Sequence, residues 1–185
     1  MSDETNRMRV IDAGGLSLEP QTVEHAEAMF VVLSDPAIYE YENKPPSSLA
    51  WLRERFEKLE SRRSADGQEQ WLNWVIRLPT SELIGYVQAT VRANGSAAIA
   101  YELSSAHWGR GLARRALQAM IAELVERYEV RLLIAVLKRE NGRSRRLLER
   151  LGFSPAPMEL DGAHAIEEDE ILMLRALQSP PTSAA

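Results

Sequence analysis

The chain has no cysteine, which removes a disulfide framework, a thiolate metal site and a cysteine nucleophile at once. Its chemistry must come from oxygen, nitrogen or backbone groups. No apolar run approaches the ~20 residues of a membrane span, and the opening MSDETNRMR lacks the apolar stretch of a signal peptide. A soluble, cytoplasmic protein with no membrane partner is expected. His25 and His164 sit alone, and without a close His/Asp/Glu set no metal is expected. Gly and Pro number only 10 and 9, so neither a collagenous repeat nor a low-complexity scaffold fits. What is present, 45% hydrophobic and 26% charged residues over 185 positions, suits one compact core rather than two. That core is assigned to a single domain, 14–178, between a polar, flexible N-terminus at 1–13 and a disordered tail at 179–185.

The net charge of −5 argues against nucleic acid as a partner only if charge is evenly spread, and it is not. Residues 110–150 hold 11 of the 22 Lys and Arg against five Glu, a net of +6, which leaves −11 for the rest. An anionic ligand therefore belongs with this segment, unless the arginines are only solvated helix faces.

Hydrophobic spacing orders the elements. Leu16 and Leu18 alternate with polar residues in a short strand ended by Pro20; Thr22 then caps a helix through Leu33. After NKPPSS, Ser47 or Ser48 caps a second helix with Leu49, Leu52, Phe56 and Leu59 on one face. The period drops to two over 71–78, 83–91 and 97–103, three strands joined by hairpin-length turns. Residues 111–128 form the clearest helix, burying Leu117, Met120, Ile121, Leu124, Val125 and Tyr128. The apolar run 132–137 reads as a strand covered on both faces, 143–151 as a short helix ended by Gly152, and Phe153 and 171–174 as two last strands. The order β-α-α-β-β-β-α-β-α-β-β implies a mixed α/β fold, mostly antiparallel with a central βαβ crossover.

The stretch from Tyr101 to Arg115 carries the chemistry. A strand ends at Leu103, a loop follows, and a long helix opens on Gly109, Arg110, Gly111, Leu112 and Ala113, where two glycines and an alanine leave backbone N–H groups uncovered. Free donors, the positive helix end and nearby arginines make a diphosphate seat; the plain alternative is a glycine turn before an ordinary helix. A P-loop fails because Leu112 and Ala113 follow Gly111, and a dinucleotide fingerprint fails because Arg114 stands where its third glycine would be.

The run Trp108-Gly-Arg-Gly-Leu-Ala113 resembles the acetyl-CoA motif of the GNAT N-acetyltransferases, Gln/Arg-x-x-Gly-x-Gly/Ala, with Trp108 in place of the first residue. Tryptophan there is similar to the branch that acetylates ribosomal-protein N-termini. The later run from Asn141 through Ser144 to Leu151-Gly-Phe153 resembles that branch's second signature, and the likeness extends over about residues 15–175. It implies acetyl-CoA as co-substrate, with the N–H groups of 109–114 on the pyrophosphate and the chain near Leu103 along the pantetheine arm. Asn141 would bond that arm from the other side, Ser144 would approach the sulfur, and Arg110, Arg114 and Arg115 would add charge near the phosphates.

Acyl transfer to an amine needs a neutral amine and a stabilised leaving thiolate. Glu102 is the candidate base, against the alternative of an exposed or salt-bridged strand Glu. Relatives place a proton-donating Tyr where this chain has Leu148, so that role is vacant or falls to Ser144; His107 is read as structural. The acceptor site is assigned to 39–46 and to the acidic loop 159–170, whose aromatics and carboxylates suit a cationic amine. The expected enzyme is an acyltransferase that passes acetyl directly to a primary amine, of a peptide or protein N-terminus or a small molecule, since no covalent nucleophile is evident. The alternatives are an inactive CoA-sensing domain and an RNA- or ribosome-associated module, the latter disfavoured because the arginines lack interleaved aromatics. Oligomeric state is left open, a homodimer included.

Overall fold

A computed structural model describes residues 8–41, 43–157 and 166–177. Its elements are β1 (Ile11–Asp12), β2 (Ser17–Pro20), α1 (Ala26–Leu33), α2 (Leu49–Leu59), β3 (Glu69–Arg77), β4 (Leu83–Arg92), β5 (Ser96–Leu103), α3 (Leu112–Tyr128), β6 (Leu132–Lys138), α4 (Gly142–Arg150), β7 (Ser154–Pro155) and β8 (Glu170–Ala176). The expected order holds, with β1 added at the front. Among the described residues one sheet runs β1-β2-β3-β4-β5-β6-β8-β7, antiparallel except for β5 and β6, which are parallel and joined through α3.

Two layers of helix cover the sheet. Ala26, Met29 and Leu33 of α1 with Leu52 and Phe56 of α2 pack on the face carrying Val75 and Leu83. Leu117, Met120 and Leu124 of α3, and Leu148 of α4, pack on the other face with Ile99, Leu103, Ala135 and Leu137. Local chemistry sets the helix starts: Ser48 Oγ accepts from Trp51 N at 3.0 Å, and Asn141 Oδ1 from Ser144 N at 3.0 Å. Each such cap contributes about 1 kcal/mol.

Residues 8–13 depart from the flexible N-terminus expected of 1–13; residues 1–7 lie outside the described residues, as do 178–185, which include the expected tail. Ile11 pairs with Leu18 and Asp12 with Ser17, and the Arg9 carbonyl accepts from Trp74 Nε1 at 3.1 Å. The cause is electrostatic: Glu123, in the middle of the apolar stripe of α3, is 2% exposed, and Arg9 reaches its carboxylate at 2.6 Å. A buried carboxylate without a cation is costly, so Arg9, with Arg127 at 3.6 Å, fixes the segment to the domain.

The feature that positions the site is a failure of pairing. β5 and β6 are in register only over Ser96–Ala98 against Leu132–Ile134, and beyond that they diverge. Nor is β6 covered on both faces throughout. Val136 is 40% exposed, because α1 and α2 sit over the β3–β4 half of the sheet and leave this part bare.

Candidate active site

The gap between β5 and β6 opens into a cleft of about 910 Å³, bounded by the starts of α3 and α4, by α2 and by the connection before α2. Ser104 N donates to the Ile84 carbonyl, so by antiparallel alternation residues 102 and 104 face β4, while the main-chain groups of Tyr101 and Leu103 turn toward the gap. One of these is already used. The Leu103 carbonyl accepts from Trp108 Nε1 at 2.8 Å, which leaves its N–H as the open group.

At one end of the cleft the chain enters α3 through two left-handed glycines, Gly109 at φ 76° and Gly111 at φ 74°. A Cβ at either would meet nothing within 4 Å, so the surface before them is bare. Among the described residues no intrachain acceptor is found for the backbone N–H groups of 109–114; the first helical bond is Arg115 N to the Gly111 carbonyl. These donors and the helix dipole make a seat for a multiply charged anion. Gly109, Gly111, Leu112, Ala113 and Arg114 line the cleft; Arg110 does not. Arg115 turns away, and its guanidinium donates to the Gly14 carbonyl at 2.7 Å.

The opposite wall is α4. Asn141 lines the cleft and caps the helix through Oδ1 alone, while Arg143 lies 3.5 Å from the Trp108 ring centroid and 3.8 Å from Glu40. That stack joins the loop before α3, α4 and the segment before α2. Arg145 pairs with Glu149 on the wet face at 3.0 Å. Ser144 is met by the hydroxyl of Tyr101, which crosses from β5. Leu148 is buried, with no polar atom to offer.

Glu102 sits on the other face of β5, directly across from Tyr86 on β4, which hydrogen-bonds it. Burial, followed by the charge of Glu102, pushes the Tyr86 phenol well above its usual range, so it stays protonated and donates to the carboxylate. Tyr39 is pushed up likewise, by burial first and then by Glu102 and Asp35, and it donates to the Leu33 carbonyl at 2.8 Å. Asp35 accepts from Ser105 N at 2.8 Å and ties this side of the cleft to the loop before α3. His107 is buried in that loop, with Nε2 3.7 Å from Glu82.

Of the two segments expected to meet the acceptor, the first does line the cleft through Tyr39, Tyr41, Lys44 and Pro46. The described part of the acidic loop does not. Glu167 and Asp169 instead engage Lys138 at 2.5 and 2.9 Å, which raises the lysine's affinity for its proton; residues 158–165 lie outside the described residues. Among the described residues no cluster of three potential metal ligands occurs, and no helix is long and apolar enough to cross a membrane.

Sequence reasoning missed Tyr86, Tyr39 in its contact with Glu102's field, and the bond from Tyr101 to Ser144. The direct register of 86 against 102 follows from the hairpin at Asn94-Gly95 and could have been counted out; the Tyr101 contact spans 43 residues and leaves no local signal.

A mixed sheet that splays at its one parallel pair, with a glycine-opened helix start at one wall and a carboxylate on the far face, is the framework of an acyl-CoA transferase. The family model for the acetyltransferase (GNAT) domain matches residues 16–154, and the chain belongs to that family. It is an acetyl-CoA-dependent N-acetyltransferase. An uncharacterized N-acetyltransferase p20 of Bacillus licheniformis is 28% identical over 141 residues, which cover 75% of this chain and 78% of that protein. Among solved structures, RimL, a ribosomal L7/L12 alpha-N-protein acetyltransferase in complex with coenzyme A, aligns with a TM-score of 0.78 at 18% identity, over 93% of this chain and all of that one. Mycobacterium smegmatis RimJ in complex with CoA-disulfide aligns with a TM-score of 0.73 at 21% identity, covering 94% and 87% of the two chains. These likenesses fix the fold.

Proposed function

We propose that the protein transfers acetyl from acetyl-CoA to a primary amine, of the α-amine type found at peptide and protein N-termini, within a ternary complex in the cytoplasm. The observation that carries this reading is the placement of Glu102 and Ser144 on opposite sides of one splayed gap. In it the N–H groups of 109–114 and Arg114 take the pyrophosphate, the Leu103 N–H and the Tyr101 main chain take the pantetheine arm, and Asn141 orients α4 beside it. Trp108 and Arg143 wall the donor side. Glu102 receives the proton of the incoming amine, and Ser144 serves the sulfur. The acceptor enters from the α2 side, past Tyr39, Tyr41 and Tyr86. Ribosomal-protein acceptors, of the kind printed in the name of the RimL structure, belong to this class.

Acetyl-CoA at 100 times its dissociation constant is expected to stabilise the fold by about 2.7 kcal/mol, with desulfo-CoA close behind because the phosphates dominate. A thermal melt measures this, and no shift with either compound removes the cofactor reading.

The proton roles are separated by pH. A peptide α-amine, at roughly 7.7–8.0, is partly neutral at pH 7 and needs only a weak base. Glu102→Gln therefore lowers the rate modestly at pH 7, and the loss shrinks as pH rises and solvent takes over deprotonation. Ser144→Ala lowers the chemical step roughly 10- to 100-fold at every pH, as for loss of a hydrogen bond to a charged group. Rate profiles of both variants at saturating acetyl-CoA decide the matter; wild-type behaviour of Glu102→Gln across the range reduces Glu102 to a strand surface residue.

A further inference from the structure

We infer that Tyr101 is a positioning residue for proton delivery to the leaving sulfur, acting through Ser144. The inference rests on the role given to Ser144 above and adds a group that neither sequence signature contains. The Tyr101 hydroxyl oxygen lies 2.5 Å from Ser144 Oγ and 3.5 Å from the Ser144 carbonyl oxygen. Either hydroxyl of the pair can donate, and the arrangement that serves the sulfur is the one in which Tyr101 donates to Ser144 Oγ. Ser144 Oγ then receives the Tyr101 hydrogen and keeps its own for another acceptor. Both side chains line the cleft between β5 and β6, where the thioester of the proposed complex must lie.

The surroundings hold this geometry. The Tyr101 ring packs against the core beneath α3 and α4, and Asn141 fixes the backbone N–H of Ser144, so neither partner swings freely. An isolated serine hydroxyl is a poor proton donor. A phenol, with an ordinary pKa of about 10, polarises it through the shared hydrogen bond and brings the pair nearer to a thiol of about 8.5.

The atoms balance as follows. The amine nitrogen bonds to the thioester carbon, the C–S bond breaks, and the sulfur takes the Ser144 hydrogen while Oγ draws the proton of Tyr101. The proton lost by the amine passes to Glu102 and on to solvent, and Tyr101 recovers one from solvent. The products are the amide and the free thiol. Tyr101 and Glu102 are consecutive on β5, so their side chains leave opposite faces of the sheet. Strand alternation thus keeps the group that gives a proton apart from the group that receives one, on either side of a single thioester.

The test compares wild type, Tyr101→Phe, Ser144→Ala and the double variant, using acetyl-CoA and the fastest acceptor from a panel of N-terminal peptides and small amines. Tyr101→Phe keeps the ring and is expected to lower kcat roughly 10- to 100-fold, as loss of a positioned hydrogen bond in a charged step does. KM for both substrates, the thermal shift with desulfo-CoA and the acidic limb of the pH profile stay at their wild-type values. The double variant is no slower than Ser144→Ala, because both changes remove one path. Wild-type kcat in Tyr101→Phe, with or without a lower melting temperature, overturns the inference. Multiplicative losses in the double variant do so too. If Ser144→Ala is slow and Tyr101→Phe is not, only the Tyr101 role falls; if Ser144→Ala itself runs at the wild-type rate, the Ser144 reading falls with it.

Discussion

Gly111→Glu is expected to erase the thermal shift that acetyl-CoA and desulfo-CoA give the wild-type protein, while its circular dichroism remains that of a folded α/β domain. Gly111 lies at φ 74°, where an L-residue costs roughly 1–2 kcal/mol, but a Cβ there meets no atom within 4 Å. The domain therefore keeps its packing. The ligand is repelled by charge: a carboxylate would stand among backbone donors at a helix N-terminus whose field favours an anion from solution. Wild-type stabilisation of about 2.7 kcal/mol at 100 times the dissociation constant corresponds to a shift of roughly 5–11 °C in a chain of this size. Gly111→Ala is the control, since it carries the same backbone strain without the charge and should retain most of the shift. A full shift in Gly111→Glu would mean that the phosphates bind elsewhere.

The local geometry of the proposed donor half was legible because its requirements are local. Two glycines, the helix they open and the stripe Leu117, Met120, Ile121 and Leu124 all lie within one short stretch, where spacing dictates geometry. The same holds for α4, whose stop Gly152 read directly, although its cap Asn141 was read only as a partner of the pantetheine arm. The acceptor half was only partly legible, because its groups come from four elements. Glu102 could be placed on a strand, yet its environment is made by Tyr86 and Tyr39, which meet it only once the meander has folded. β1 escaped because two residues carry no period, and its anchor is a pair between Arg9 and Glu123, 114 residues apart. A glutamate in the apolar stripe was the one clue. The described end of the acidic loop, residues 166–170, misled for a related reason: Lys138, near the end of an apolar strand, attracts carboxylates as well as any substrate amine would.

Gly85→Ala is expected to damage stability and turnover together, although no catalytic role attaches to Gly85. Its backbone is not left-handed; the constraint is contact. Gly85 stands directly opposite Leu103, and an added Cβ would lie 2.1 Å from the Glu102 carbonyl oxygen and 2.9 Å from Leu103 Cα. Both atoms are backbone, so no side-chain rotation relieves the clash, and β5 must move off β4. The strand resists, because Ser104 N is bonded to the Ile84 carbonyl and Leu103 is tied to Trp108 and buried against α3. Overpacking of a tight interior costs about 1–3 kcal/mol or more, a fall in melting temperature of roughly 2–12 °C for a domain of this size. Whatever displacement relieves the strain is delivered to residues 102 and 103, between the proposed base and the pantetheine path. A shift on the order of 1 Å there costs about 100-fold in rate. Melting and kcat should therefore fall in the same variant, whereas Gly67→Ala, where a Cβ meets nothing within 4 Å, shows only the cost of its left-handed φ of 72° and leaves turnover alone. If Gly85→Ala melts lower but turns over normally, β5 absorbs the strain away from its C-terminal end, and the close approach at Gly85 serves only the packing of the two strands.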